Sequence, residues 1–253
     1  MRVSVITVCF NAAETIRDTL ESVAAQLHPD VEHIVVDGLS TDATLQIVSE
    51  YPHVARVVSE RDCGLYDAMN KGAALATGDM IGWLNADDLL ASPLALAHIA
   101  RAGEGAPVVA AGVNMVDARD TALVIRRYAS SSFSLKWLRY GYAVPHPGFY
   151  IRRDVLERIG GYDLRYPLAA DFDLIARALH RERIPYVLLS EVVVLMRMGG
   201  RSFGVKAALR MLEEVYQSCR RNGISTNRLL MLYRYGHKAL QYFGRRDPEV
   251  RSQ

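Results

Sequence analysis

Short apolar runs of strand length alternate with helical patterns along the first half of the chain. The segments between the runs place apolar residues at helical spacing, as Ile16, Leu20 and Val23 show. Strands separated by helices predict an α/β fold with a mostly parallel central sheet covered by helices on both faces. The five predicted strands are Val3 to Phe10, His33 to Val36, Ala55 to Val58, Met80 to Leu84 and Val108 to Val113.

The regular alternation stops after Gly112. The pattern predicts an edge strand or hairpin arm over 121–128, a short helix over 133–140, and last strands over 186–189 and 192–196. From Phe203 the spacing is helical and basic residues are frequent, which predicts a C-terminal helical tail. No window reaches the roughly 18 apolar residues of a membrane helix, and the chain enters a strand at once, so we expect a cytoplasmic protein.

The charge and the cysteine content of the chain argue against some classes of partner and some kinds of structural site. The 253 residues carry a net charge of +2, which offers no general case for a nucleic-acid partner. Cys9, Cys63 and Cys219 are odd in number and form no C-x-x-C pair, which argues against a disulfide framework or a zinc site.

Polar residues follow the predicted strands at the points where they end. Asn11, Asp37 and Asp62 follow the first three strands, and Asp87 and Asp88 follow the fourth. The carboxyl ends of parallel strands meet at one edge of a sheet, where ligands bind in open α/β folds. Paired carboxylates at such an edge suit Mg²⁺ or Mn²⁺, although an Asp-Asp pair after a strand also occurs as plain turn chemistry.

Two common phosphate-binding motifs are absent. No G-x-G-x-x-G follows the first strand, and no G-x-x-x-x-G-K-S/T loop occurs in the chain. Phosphate would then be held by a metal ion and side chains. Asp67, Asn70 and Lys71 recur at helical spacing and can point together at one ligand, with a solvated surface lysine as the alternative for Lys71.

Six segments in order resemble one enzyme family. They are VSVITVCFNAAETIRDTLESVAAQ, HIVVDGLSTDAT, RDCGLYDAMNKGAALATGD, GWLNADD, HPGFYIRRDVLERIGGYDLRYPLAADFDL and MGGRS. Together they resemble the family 2 inverting glycosyltransferases of bacterial polysaccharide and glycolipid biosynthesis, which have the Rossmann-like GT-A fold. The resemblance implies a GT-A domain over 1–203, with a nucleotide-sugar-binding half at 1–113 and an acceptor and catalytic half at 114–203. The basic helical tail then covers 204–253.

The resemblance also implies roles for the residues at the strand ends. Asn85-Ala86-Asp87 stands where the family places its D-x-D motif, and Asn85 departs from that pattern. The metal ligands implied are Asp87 first and Asp88 second, with Mg²⁺ or Mn²⁺ as the cofactor. For the nucleotide sugar, the resemblance implies Thr7, Asn11 and Asp37 at the base and ribose, and Asp62, Asp67 and Lys71 beneath the ribose and diphosphate.

In the second half, the resemblance implies that Asp171 of AADFDL is the general base. On local grounds the same residue is a candidate helix N-cap. Asp173 lies about 200° further around a helix, so only one of the two faces the acceptor. His146 and Arg197 would border the acceptor and the diphosphate, with a buried, satisfied histidine as the alternative for His146.

The implied function is transfer of a sugar from a UDP- or GDP-linked donor to a hydroxyl of a saccharide or lipid-linked acceptor. The alternatives are a non-catalytic nucleotide-sugar-binding protein and a nucleotidyltransferase of related fold. The tail interleaves basic and apolar residues, which suits peripheral contact with the inner face of the cell membrane. Its alternative is packing on the catalytic domain or on a second subunit in a homodimer.

Overall fold

A nine-stranded sheet forms the centre of the structure, a computed structural model that describes residues 1–199 and 205–231. Four parallel strands at one end follow the order β3-β2-β1-β4. This half confirms the predicted parallel arrangement: β1, β2 and β4 are buried on both faces, whereas β3 at the edge is mostly exposed. The strands are β1 (Val3–Cys9), β2 (Val31–Asp37), β3 (Val54–Ser59) and β4 (Met80–Trp83).

The other half of the sheet is mixed. Strand β8 joins β4 and β6 in antiparallel pairs, while β9 runs parallel to β6 and pairs with β5 in the antiparallel sense. The two predicted last strands are one continuous strand with a register shift. Strand β7 lies off the main path and pairs with β6, in agreement with the predicted hairpin arm. The strands are β5 (Leu89–Leu90), β6 (Val108–Val116), β7 (Val124–Tyr128), β8 (Phe149–Arg152) and β9 (Tyr186–Arg197).

Helices flank both faces of the sheet, and most occur where the spacing predicts them. One detail differs: the short helix predicted over 133–140 is a 3₁₀ turn over Leu135–Tyr140. The helices are α1 (Ile16–Ala24), α2 (Thr44–Ser49), α3 (Leu65–Leu75), α4 (Ala95–Gly103), α5 (Arg153–Ile159), α6 (Ala170–Ala176) and α7 (Val205–Arg221), with shorter 3₁₀ turns at Ser130–Ser132 and His146–Gly148 and a π-helical turn at Arg177–Arg181.

The core has two layers, one on each side of the sheet, and a smaller cluster beside them. Helices α3 and α6 cover one face together with Trp83, and α4 covers the other together with Tyr150. The smaller cluster joins α6 to α7 through Phe172, Val215 and Cys219. The described part of the predicted tail therefore packs on α6.

The remainder of the tail, residues 232–253, lies outside the described residues. Its second predicted helix, over 227–243, is described only as far as residue 231, where 228–231 are helical. Among the described residues, we find no helix with the length and apolar content needed to cross a bilayer.

Candidate active site

The ends of β1 and β2 are joined by a loop network. Asn11 adopts a left-handed backbone conformation (φ 49°), and its Oδ1 accepts a hydrogen bond from the N–H of Thr41 at 2.8 Å. In return, the N–H of Asn11 donates to Ser40 Oγ at 2.8 Å. The amide of Asn11 therefore shapes the 38–42 loop, and its exposed position leaves it at the edge where a ligand would bind.

Asp37 anchors the same loop through hydrogen bonds. Its carboxylate is fully buried and accepts hydrogen bonds from the Ser40 N–H at 3.0 Å, from Ser59 Oγ at 2.7 Å and from the Ser40 hydroxyl. Cys9 Sγ lies 3.6 Å from the other side of the carboxylate. Both oxygens accept hydrogen bonds from neighbouring residues, so Asp37 holds the 38–42 loop in place. Its contact with a nucleotide stays a prediction.

Thr7 is not brought to the site. It lies inside β1, fully buried, and its hydroxyl is bonded to His33 Nε2 at 2.9 Å. His33 in turn contacts His53 at 3.1 Å, and burial lowers the pKa of His33 to about 3. The contact with a base expected for Thr7 finds no support in this position, since two further residues of β1 separate Thr7 from the strand end.

Asp62, Asp67 and Lys71 lie together beyond the end of β3. Lys71 Nζ contacts Glu60 at 2.9 Å and Asp67 at 3.5 Å. Asp67 caps the start of α3 by accepting the Cys63 N–H at 2.9 Å, and Asp62 accepts the N–H of the following glycine at 2.9 Å. These three side chains form a charged, partly exposed rim at the predicted floor of the ligand site.

Asn70 is turned elsewhere. Its side chain holds the backbone of Tyr162 on both sides, accepting the Tyr162 N–H at 2.7 Å and donating to the Tyr162 carbonyl at 2.9 Å. The expectation that Asn70 points at a ligand together with Asp67 and Lys71 is therefore wrong, and its role is to tie α3 to the second half of the chain.

The two carboxylates that follow β4, Asp87 and Asp88, differ in how deeply they are buried. Asp88 is 1% exposed, and its Oδ1 accepts the N–H of Arg197 at 3.1 Å. Burial and the neighbouring Asp87 raise the pKa of Asp88 to about 8. Asp87 is half-buried, and burial raises the pKa of Asp87 as well. Asp87 therefore remains the more accessible of the two predicted metal ligands.

Asn85 contributes an unused oxygen to this segment. Its Nδ2 donates to Asp88 at 3.3 Å, whereas its Oδ1 is buried and has no hydrogen-bond partner. A buried carbonyl oxygen without a partner is costly unless a ligand completes it. Amide and carboxylate oxygens are ligands that Mg²⁺ and Mn²⁺ prefer, so the chemistry of Asn85 and Asp87 fits such an ion.

Arg197 closes this side of the site at the end of β9. Its guanidinium, 9% exposed, donates to the Asp87 carbonyl at 3.1 Å and is ion-paired with Asp18 of α1. Its Nε is buried without a partner. Arg197 thus places a cation beside Asp87, where the expected diphosphate would carry negative charge. Within the described residues, no group of three or more His, Cys, Asp or Glu side chains is arranged to hold a metal.

Asp171 lies at the start of α6, near Tyr66 and Tyr162, which together with Trp83 form an aromatic wall. Burial is the main cause that raises the pKa of Tyr66, and the charge of Asp171 follows it. Burial also raises the pKa of Tyr162, followed by the interaction with Tyr66 and then by the charge of Asp171. Burial lowers the pKa of His146, while Asp171 acts in the opposite direction. Asp171 is half-buried, and its Oδ1 accepts the N–H of Phe172 at 2.7 Å. A carboxylate beside a histidine and two tyrosines is placed to accept a proton.

Trp83 connects this wall to the end of β4. Its ring centroid lies 5.7 Å from that of His146 and 4.9 Å from that of Tyr162, and His146 Nε2 is hydrogen-bonded to the Tyr162 hydroxyl. A single residue, Leu84, separates Trp83 from Asn85 in the chain. The strand that ends in the metal-ligand candidates therefore also carries the tryptophan that packs on His146 and Tyr162.

Asp173 is excluded as the base by its surroundings. It is buried and accepts hydrogen bonds from Ser218 Oγ at 2.7 Å and from Asn222 Nδ2 at 3.0 Å. Arg177 Nη2 pairs with its other oxygen at 3.1 Å. The prediction that only one of the two aspartates faces the site agrees with these contacts. The helix cap expected at Asp171 is displaced, because the N-cap residue is Ala169 and Asp171 lies in the first turn.

Sequence reasoning missed several residues of this site. Asp18 is ion-paired with Arg197. The charge of Asp171 contributes to the raised pKa values of Tyr66 and Tyr162. In each case the partners lie far apart in the chain. Asp18 lies on the polar face of an amphipathic helix and the tyrosines lie within helical or turn patterns, so no local signal sets them apart. His146, by contrast, was named beforehand through the family resemblance.

Two solved structures share the fold. Residues 1–349 of S. aureus TarS, in complex with UDP-GlcNAc, superpose with a TM-score of 0.67 at 20% identity, covering 88% of this chain and 66% of that one. The mannosyltransferase PcManGT from Pyrobaculum calidifontis, in complex with GDP-Man and Mn²⁺, gives a TM-score of 0.64 at 22% identity, covering 89% and 65%. The GT-A α/β fold predicted from the sequence is confirmed.

Sequence comparison extends the likeness beyond the fold. An uncharacterized glycosyltransferase of Mycobacterium tuberculosis is 37% identical over 182 residues, which cover 70% of this chain and 68% of that protein. A PGL/p-HBAD biosynthesis glycosyltransferase of Mycobacterium bovis is 37% identical over 177 residues, 67% of this chain and 66% of that protein. The family model described as Glycosyl transferase family 2 matches residues 4–160. The chain belongs to Glycosyl transferase family 2.

Proposed function

We propose that the protein is a metal-dependent inverting glycosyltransferase. It would move a sugar from a UDP- or GDP-linked donor to a hydroxyl of a saccharide or lipid-linked acceptor, in the assembly of a cell-envelope polysaccharide or glycolipid. Neighbours of the same fold support the donor class, since TarS is described with UDP-GlcNAc and PcManGT with GDP-Man and Mn²⁺. A relative that acts in PGL/p-HBAD biosynthesis supports the glycolipid product.

One observation carries the proposal: a half-buried carboxylate, Asp171, opens α6, and a buried amide oxygen without a partner, Asn85 Oδ1, lies with the half-buried Asp87 after β4. Asp171 has the position of a general base beside His146 and Tyr162. Asn85 Oδ1 and Asp87 offer oxygen ligands at the end of β4. A glycosyl transfer needs both groups, because the acceptor loses a proton on one side of the sugar while a diphosphate leaves on the other.

Asn85 and Asp87 would hold Mg²⁺ or Mn²⁺, with diphosphate oxygens and water as the other ligands. The bound ion would offset the charge of the departing diphosphate. Arg197, adjacent to Asp87, would add a second positive charge. Asp88, whose carboxylate is occupied by the Arg197 N–H, would support the loop rather than bind the ion itself.

Asp171 would accept the proton of the acceptor hydroxyl as its oxygen bonds to the anomeric carbon. The bond from that carbon to the diphosphate oxygen breaks with its electron pair leaving on the diphosphate. Attack from the face opposite the leaving group inverts the anomeric centre. The aromatic wall of Tyr66, Tyr162 and Trp83 keeps water away from one side of this reaction.

The nucleotide would lie along the ends of β1 to β3. Asn11, Asp62, Asp67 and Lys71 are partly or fully exposed there and are available for contact. In this arrangement Asp37 acts through the 38–42 loop that it holds. Lys71 is shared with Glu60 and Asp67, so a diphosphate would compete for a cation that is already paired.

Turnover of a donor panel tests the proposal. UDP- and GDP-sugars are incubated with the protein and Mn²⁺, and free nucleoside diphosphate is measured with and without chelator. We expect chelator-sensitive release for at least one donor, and a loss of roughly 100-fold or more in kcat for Asp171→Asn at nearly unchanged donor affinity. Donor binding without any release from every donor would favour the non-catalytic nucleotide-sugar-binding protein.

The acceptor class bears on where the protein works. For a lipid-linked acceptor, we propose peripheral attachment to the inner face of the cell membrane through the basic 204–253 segment. Leu229, which is highly exposed, belongs to this segment, as do Arg220 and Arg221. Each basic residue near an anionic surface contributes about 1 kcal/mol, so binding should weaken with salt. Flotation with anionic and neutral vesicles measures this binding. Equal recovery of the protein in the soluble fraction with both kinds of vesicle would favour packing of the segment on the catalytic domain or a homodimer.

A further inference from the structure

The N-terminus of α6 has no cap of its own. The N-cap residue is Ala169, whose methyl group cannot accept a hydrogen bond, and the residue before it is Leu168. The first N–H groups of a helix have no partner within the helix and must find one elsewhere. This helix also carries Asp171 in its first turn, so the missing cap lies next to the proposed base.

A side chain from α7 fills this position. Glu214 Oε2 accepts hydrogen bonds from the N–H of Leu168 at 2.8 Å and from the N–H of Ala169 at 3.1 Å. Glu214 is only 7% exposed, and Arg210 Nε donates to its other oxygen at 3.0 Å. A buried carboxylate with both oxygens bonded is held in place, and it holds the backbone that it contacts.

Two further contacts with α6 follow at intervals of four residues, one from α7 and one from the residue just after it. Ser218 and Asn222 follow Glu214 on the same face of the helix and both donate to Asp173. Asp173 pairs in turn with Arg177, which donates to the carbonyls of Ile159 at 2.6 Å and Gly161 at 2.8 Å. The rotation of α6 about its axis is thereby fixed on both sides of Asp171.

We propose that Glu214 is a positioning residue for catalysis: by capping α6 from α7, it fixes the first turn from which Asp171 reaches the acceptor hydroxyl. The inference rests on the proposed function, in which Asp171 is the base. It also makes α7 part of the catalytic unit, although α7 lies outside the residues 4–160 that define the family match. The Tyr66 hydroxyl donates to the Leu168 carbonyl at 3.4 Å, and the charge of Glu214 contributes to the raised pKa of Tyr66.

The role predicts an effect on turnover rather than on donor binding. Glu214 contacts backbone at 168–169, and none of its hydrogen bonds reaches the ends of β1 to β4. A displaced Asp171 would still leave the nucleotide and metal ligands in place. We therefore expect kcat to fall while the donor dissociation constant stays within about twofold of wild type.

The test compares two substitutions at Glu214 with the same change at its neighbour. Glu214→Gln keeps an acceptor oxygen at full reach, whereas Glu214→Asp withdraws the carboxylate by about one C–C bond length, beyond hydrogen-bond distance. Glu213→Asp is the matched control, since Glu213 lies on the exposed side of α7 and pairs with Arg228 at 3.2 Å. Melting temperature and circular dichroism establish that each variant is folded.

We expect Glu214→Asp to lower kcat by roughly tenfold or more, Glu214→Gln to stay within about threefold of wild type, and Glu213→Asp to be unchanged. In an Asp171→Asn background, Glu214→Asp should cost no more than about a further twofold, because both changes act on one group. A folded Glu214→Asp protein with normal kcat, or one with a full multiplicative loss in that background, would overturn the positioning role alone. An Asp171→Asn protein with full activity would overturn the proposed function as well.

Discussion

Substitution of Asp37 distinguishes a residue that contacts the nucleotide from one that builds the loop beneath it. Asp37→Ala removes the acceptor for the Ser40 N–H and hydroxyl and for the Ser59 hydroxyl. Hydrogen bonds to a charged group contribute about 1.5–3 kcal/mol each, and the exposed Ser59 can turn to water instead. We therefore expect the free energy of unfolding to fall by roughly 2–4 kcal/mol.

For a chain of this length, 1 kcal/mol corresponds to about 2–4 °C in melting temperature. Asp37→Ala should thus lower the melting temperature by roughly 4–16 °C, and Asp37→Asn, which keeps one acceptor oxygen, by about half of that. UDP or GDP affinity should fall by about 1–3 kcal/mol, because the 38–42 loop loses its anchor. Scanning calorimetry and isothermal titration measure the two effects on the same preparation.

Asp62→Ala is the matched control for this experiment. Asp62 is half-buried and accepts a backbone hydrogen bond from the Gly64 N–H at 2.9 Å, so its loss should cost under about 1 kcal/mol of stability. Its contribution to nucleotide affinity should nevertheless be comparable with that of Asp37. A melting temperature of Asp37→Ala within about 2 °C of wild type would refute the buried-anchor reasoning, since three lost bonds cannot be that inexpensive.

Three further predictions concern the metal site, the core and pH. Asp87→Ala should abolish Mn²⁺-dependent donor binding at an unchanged melting temperature; titration calorimetry with and without chelator checks this, and chelator-sensitive binding in the variant would contradict it. Gly82→Ala places a methyl group 2.1 Å from the Tyr150 ring and should destabilise the protein by about 1–3 kcal/mol in urea unfolding, whereas a neutral effect would show that the ring can move. Burial lowers the pKa of His33 to about 3, so protonation below pH ~6.5 favours the unfolded chain. The free energy of unfolding should therefore fall by roughly 2 kcal/mol between neutral pH and pH 5, and the fall should be smaller in His33→Gln.

The sequence by itself determined the architecture of the first half and the edge that carries the chemistry. Apolar runs such as Val3 to Phe10 can be buried only as central strands, and helices between them enforce parallel neighbours. The polar residues after each run then share one edge, which is why the position of Asn11, Asp62 and Asp87 at that edge could be predicted without a structure. The order of the second half was beyond reach, because the antiparallel insertion of β8 between β4 and β6 depends on pairing across long separations.

Tertiary structure alone decided which carboxylates are free to act. Asp37, Asp88 and Asp173 look like Asp87 and Asp171 along the chain, yet each of the first three is buried against donors that fold back onto it. The Arg197 N–H reaches Asp88 across 109 residues, and Asn222 reaches Asp173 across 49. The chemistry of a carboxylate depends on its solvation and on the donors around it, and these are set by contacts between distant segments, which no local pattern records.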